Sequence, residues 1–222
     1  MRGHDCGVPA AWDGRLRIGP PESGLRSRGV EAFEAFVAVA MEAEGLVVSE
    51  AIKFPVTLRT RRADHVEVQT HGYEVDLVGA RADRLVLASV KSYLGSRGVA
   101  AEHVIGETTN ETARRRYSLL NRPDVRGKVL KAAANRYGYT TRQVELRLYV
   151  GKFAGKGEHE AAIRKWAKRQ RVGSGPVGVY GLEDVVGEVR RAAAPRGYRD
   201  NPVLVTMKVL EAAGMLTAVA SD

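Results

Sequence analysis

Apolar residues recur at helical spacing from Val30 to Glu44, where Val30, Phe33, Val37, Ala40 and Met41 form one stripe and Gly45 supplies a stop. The period then shortens to that of strands, first over Leu46 to Leu58, where Pro55 marks an edge or a bend, and again over Glu67 to Val78. Arg59 to His65 reads as a polar, basic connection between them, and Gly79 to Asp83 as a turn into a third strand, Leu85 to Tyr93. In the second strand the alternation predicts Val75 and Leu77 on a core face, with Glu74, Asp76 and Val78 on the other. Gly95 to Asn121 lacks apolar periodicity and reads as a long connection.

Helical spacing returns over Pro123 to Tyr137, with Val125, Val129, Leu130, Ala133 and Tyr137 inward and Arg126, Lys128, Lys131 and Arg136 outward. Val144 to Val150 alternates as a strand. Glu158 to Gln170 is an amphipathic helix, Gly175 to Tyr180 a strand, Leu182 to Ala193 a helix, and Asn201 to Ala213 a last helix capped by Asn201 and stopped by Gly214. The order αβββαβ, followed by αβαα, predicts an α/β protein with a mixed central sheet flanked by helices and a C-terminal helical elaboration. Residues 1–28 read as a flexible basic arm, in which Arg26 and Arg28 are candidate phosphate contacts, and 29–222 as one domain with its core over about 29–150 and the elaboration over about 151–222.

The length of 222 residues and a hydrophobic fraction of 44% fit a globular domain with its own core. A net charge of +9, from 35 Lys and Arg against 26 Asp and Glu, points to an anionic partner. Genome composition is the competing explanation of the total. It explains less well the segment from Thr112 to Arg142, which holds nine cations and one acid, Asp124. A merely solvated helix face mixes signs. Arg114, Arg115, Arg116, Arg122, Arg126, Lys128, Lys131 and Arg136 are therefore the candidate nucleic-acid contacts. The single Cys6 excludes an internal disulfide, and no apolar run approaches the ~18 residues of a membrane span, so a cytoplasmic protein without membrane association is expected.

The candidate chemistry lies in Tyr73 to Leu94. Ser89 and Lys91 are two apart and share a face of the third strand, and a lysine inside such an apolar run needs a partner. An Asp on one strand, 12 intervening residues, then a polar residue, any residue and a Lys on the next resembles the PD-(D/E)xK nuclease superfamily, which includes restriction endonucleases, archaeal Holliday-junction resolvases and RecB-type nuclease domains. Gly29 to Glu34 is similar to the opening of the first helix in the resolvase-like branch.

The resemblance implies a restriction-endonuclease-like core and a metal-dependent DNA nuclease, acting on branched or damaged DNA, with Mg²⁺ or Mn²⁺ as cofactor. It makes Asp76 and Glu34 metal ligands together with the Val90 backbone carbonyl, and Lys91 the residue that orients water. It also allows a homodimer. The departure is Ser89, which stands where the family carries an acid. Three consequences are open: Ser89 holds a water on the metal, an acid such as Glu74, Glu102 or Glu107 substitutes in space, or catalysis is lost and a nucleic-acid-binding module remains. Outside this class stands an assembly factor whose basic face meets an acidic protein. The scattered histidines lack zinc spacing, and the stretch Gly151 to Gly157 lacks the phosphate-loop pattern and reads as a turn.

Overall fold

In the computed structural model, which describes residues 32–61, 64–195 and 200–216, the side chains of Asp76 and Ser89 meet across neighbouring strands, one step beyond the Leu77–Ala88 pair. Helix α1 (Ala32–Ala43) leads into three antiparallel strands, β1 (Val47–Arg61), β2 (Val66–Arg81) and β3 (Arg84–Lys91). The chain then crosses one face through α2 (Ala101–Ile105), α3 (Glu111–Arg116), α4 (Ser118–Asn121) and α5 (Pro123–Tyr137). It returns as β4 (Val144–Val150), parallel to β3. After α6 (Glu158–Arg169), the short β5 (Gly178–Tyr180) adds parallel to β4, and α7 (Leu182–Ala193) and α8 (Pro202–Ala212) follow. The fold is α/β, with a five-stranded mixed open sheet in the order β1-β2-β3-β4-β5. The arm at 1–28, with Arg26 and Arg28, and the helix opening at 29–31 lie outside the described residues.

Alternation along β3 and β4 sorts the apolar side chains into two cores. Leu85, Leu87, Leu146 and Leu148 pack with α5 and α6, while Val86, Ala88, Val90 and Tyr149 pack with α1, α7 and α8. The hairpin β1–β2 breaks the rule at one level. Glu50 pairs with Leu77 and Ile52 with Val75, which puts Ala51 opposite Asp76, and Ala51 has a left-handed backbone at φ +51°. Before it, Val48 faces the α1 side; after it, Ile52, Phe54 and Val56 face the α5 side. Val75 and Leu77 accordingly enter different cores, and Val78 shares a core with Val75, contrary to the expected alternation. A non-glycine residue at positive φ costs on the order of 1 kcal/mol. The kink it makes lies level with the carboxylate of interest.

Three other expectations change. The turn into β3 is only Ala82 and Asp83, and Gly79 lies inside β2, where a Cβ would meet Met41 Cε at 2.7 Å. Gly95 to Asn121 contains three short helices. Arg59 belongs to β1, because the hairpin extends well past the end of β3 as a two-stranded ribbon. Pro55 sits on β1, an edge strand that tolerates a missing N–H.

Between α1 and β4 lies a buried ionic cluster. Arg147 is 4% exposed and holds Glu44 with two bonds, at 2.6 and 3.0 Å, and Glu145 at 2.7 Å, while also donating to the Tyr149 hydroxyl. Burial is the largest single influence and lowers its pKa, but the hydrogen bonds to Glu44 together with the interactions with Tyr149 and Tyr180 outweigh it and hold the pKa above the ordinary value. Among the described residues no helix is long and apolar enough to cross a membrane.

Candidate functional site

The register of β2 on β3 brings together a carboxylate, a hydroxyl and an ammonium that are 13 and 15 positions apart in the chain. Asp76 Oδ2 accepts from the Val90 backbone N–H at 2.6 Å, from Lys91 Nζ at 3.2 Å and from Ser89 Oγ at 3.3 Å. Lys91 Nζ also donates to the Val90 carbonyl at 3.0 Å. The Lys91 ammonium thus lies between the two oxygens, Asp76 Oδ2 and Val90 O, that a hard cation would use. Lys91 gains the partner its apolar strand requires. Ser89 is buried at 6% exposure and faces the α5 side, as Leu85 and Leu87 do.

Two clefts meet at this pair. On the α1 side, a cleft of about 670 Å³ is lined by Phe33, Glu34, Asp76, Lys91 and the segment Ser92 to Ser96. On the α5 side, an inner cleft of about 290 Å³ is lined by Glu74, Asp76, Ser89, Lys91, Arg115 and Arg116. Glu34 therefore shares a cleft with Asp76, as does Glu74 from the opposite side. Glu102 instead lies 3.7 Å from His159 Nδ1, and Glu107 is exposed after the left-handed Gly106 that ends α2. Among the described residues no group of three or more His, Cys, Asp or Glu is placed to hold a metal ion. The hard-oxygen set consistent with Mg²⁺ or Mn²⁺ is Asp76, the Val90 carbonyl and Glu34.

A larger groove of about 990 Å³ continues outward from the inner cleft, and Tyr73, Arg115 and Ser118 line both. Arg114, Arg122 and Lys128 complete its helical wall. Arg116 faces the inner cleft. Arg126 is not a surface contact. It is 8% exposed and donates to Leu120 O in α4 and to Gln170 Oε1 just past the end of α6. Burial lowers its pKa. Arg136 is exposed but lies over the Phe54 and Tyr137 rings and donates to Lys53 O, which fastens α5 to β1. Lys131 is exposed on α5. The ribbon wall of the groove, with Arg59, His71 and Tyr73, went unread in the sequence because only strand pairing reveals how far β1 and β2 extend.

The end of β3 is held from two directions. Tyr93 has a left-handed backbone at φ +44°, and Tyr117, 2% exposed between α3 and α4, has its phenol pKa raised by burial and by a hydrogen bond with Tyr93. The Gly151 N–H donates to Lys91 O at 2.9 Å, and a Cβ on Gly151 would stand 2.3 Å from Ser92 O. Gly151→Ala is therefore expected to push the chain away just past Lys91. The overpacking cost of roughly 1–3 kcal/mol should lower the melting temperature by about 2–12 °C, readable in a thermal scan.

A tight hairpin, the parallel crossover from β3 to β4 and the contact of Gly151 with the end of β3 place these groups. Comparison of the sequence with protein-family models and with curated proteins found no match to either.

Proposed function

We propose that the protein is a metal-dependent DNA nuclease that hydrolyses phosphodiester bonds at Asp76 and Lys91, on a restriction-endonuclease-like core. The observation that carries this reading is that Lys91 Nζ lies within 3.2 Å of both Asp76 Oδ2 and Val90 O at the inner end of an arginine-lined groove. Hydrolysis adds water across a P–O bond and needs charge neutralisation on the phosphate together with an oriented water. Asp76, Val90 O and Glu34 would hold Mg²⁺ or Mn²⁺, which when bound supplies Lewis-acid neutralisation of phosphate charge. Lys91 orients the attacking water and offsets the negative charge that develops at phosphorus. Arg115 and Arg116, on the same cleft, hold the phosphate by charge-assisted hydrogen bonds. Ser89 keeps Asp76 aimed through its hydroxyl.

A second reading is favoured by Ser89 itself and by the absence, among the described residues, of a three-acid cluster: a nucleic-acid-binding protein of the same fold without catalysis. Cleavage of labelled single-stranded, linear duplex and four-way-junction DNA with Mg²⁺ or Mn²⁺ separates the two. Cutting that requires metal supports the nuclease. Binding without cutting under either metal supports the second.

Restoring an acid at position 89 tests the metal site independently of turnover. Ser89→Asp sets a second carboxylate opposite Asp76, so the metal-free variant is expected to lose roughly 1–3 kcal/mol. Mn²⁺ at about 100 times its dissociation constant should return about 2.7 kcal/mol. Melting curves with and without Mn²⁺ read both numbers, and a variant whose melt ignores Mn²⁺ argues against a cation at this place.

A further inference from the structure

The groove outside the cleft has two unlike walls. The helical wall presents Arg114, Arg115, Arg122 and Lys128; the ribbon wall presents Arg59 with the rings of His71 and Tyr73. Glu111 and Asp124 also line it, paired with Arg115 at 2.7 Å and Arg122 at 2.8 Å, which leaves five cations against two carboxylates. Lys128 Nζ donates to Thr57 O at 2.7 Å and ties one wall to the other. His71 is exposed, and its ring stands edge-on to that of Tyr73 with centroids 6.5 Å apart. Both belong to the ribbon face that carries Phe54 and Val56, since His71 pairs with Val56 and Tyr73 with Phe54.

Cations along one wall and rings along the other match a nucleic-acid chain whose bases are unpaired. Phosphates meet guanidinium groups while bases stack on aromatic rings, and every base has a face to offer. A duplex keeps its bases stacked on one another and presents mainly phosphate and groove edges to such a slot. We propose that this groove binds single-stranded DNA, with bases on His71 and Tyr73 and the backbone along α3 to α5, and feeds the strand to Asp76 and Lys91. The delivery step rests on the nuclease reading. The binding step does not.

The test is fluorescence anisotropy of a labelled 15-nucleotide oligothymidine and of a 15-base-pair duplex with the full chain in EDTA, where no cutting occurs. The oligothymidine should bind at least about 10-fold more tightly than the duplex. With about five phosphates engaged, its affinity should fall roughly 100-fold between 50 and 200 mM NaCl. His71→Ala, on an exposed side chain, and Tyr73→Leu, which keeps the apolar packing, should each weaken oligothymidine binding roughly 5- to 10-fold and leave the duplex unchanged. Arg114→Glu should weaken both. A duplex that binds as tightly as the single strand, or single-strand binding that neither ring substitution moves while the melting temperature is intact, overturns the assignment. A protein that never cuts DNA can still give every expected result here, and a nuclease indifferent to His71 and Tyr73 would overturn the groove alone.

Discussion

Asp76→Ala is expected to lower metal-dependent DNA cleavage by at least about 10³-fold, and Lys91→Ala by about 10² to 10³-fold. The larger effect belongs to Asp76 because its carboxylate is the point on which the other groups converge. It accepts from the Val90 N–H, the Ser89 hydroxyl and the Lys91 ammonium, and removing it unbinds all three. Lys91→Ala leaves Asp76 held by the Val90 N–H, so part of the geometry survives. The two residues act as a unit, and the double variant should be no slower than Asp76→Ala within a few-fold. Single-turnover rates on one labelled substrate measure all three, and multiplicative losses would show that the residues act separately.

Arg147→Met is expected to destabilise the protein by roughly 2–4 kcal/mol, towards the lower part of the range for breaking a buried ion pair. The substitution roughly keeps side-chain length but leaves Glu44 and Glu145 facing each other without their common guanidinium; Arg84 reaches both, at 3.2 and 3.4 Å, and compensates only in part. Because Glu44 and Glu145 keep 31% and 27% of their side-chain exposure, water screens some of the repulsion. The melting temperature should fall by about 4–15 °C, with an unchanged slope in urea titration. Since Glu44 follows α1, which carries Glu34 into the cleft beside Asp76, cleavage should weaken as well. A loss under about 1 kcal/mol would mean that the cluster is effectively solvated.

The parts of this molecule legible in its sequence are those set by local period. The helix Pro123 to Tyr137, the strand Val144 to Val150 and the helix Leu182 to Ala193 have the bounds that hydrophobic spacing predicts. The hairpin that carries Asp76 on one strand and Ser89 and Lys91 on the next was legible as two recognisable strands, but its turn is shorter than expected, and the register that brings Asp76 to Ser89 came from strand pairing. Gly79 was read as a turn residue on its identity alone, while its true role is to let Met41 and Leu46 approach β2. Tertiary contacts decided the rest. Arg126 lies on the polar side of its helix by periodicity, yet it is buried with its guanidinium on Leu120 O and on Gln170, just past α6. Helices of four to six residues, such as α2, α3 and α4, are too short to show a period. The face switch at Ala51 arises from one backbone angle, which alanine does not advertise.

The most direct measurement is cleavage of an end-labelled single strand by the protein and by Asp76→Asn, in Mn²⁺ and in EDTA. The asparagine side chain retains an oxygen for the Val90 N–H, so the fold should survive while the charge needed for a cation is gone. Metal-dependent cutting by the unaltered chain, absent from Asp76→Asn at an unchanged melting temperature, is the predicted result. Cutting that persists in Asp76→Asn, or no cutting by the unaltered chain with either Mn²⁺ or Mg²⁺, would contradict a nuclease centred on Asp76.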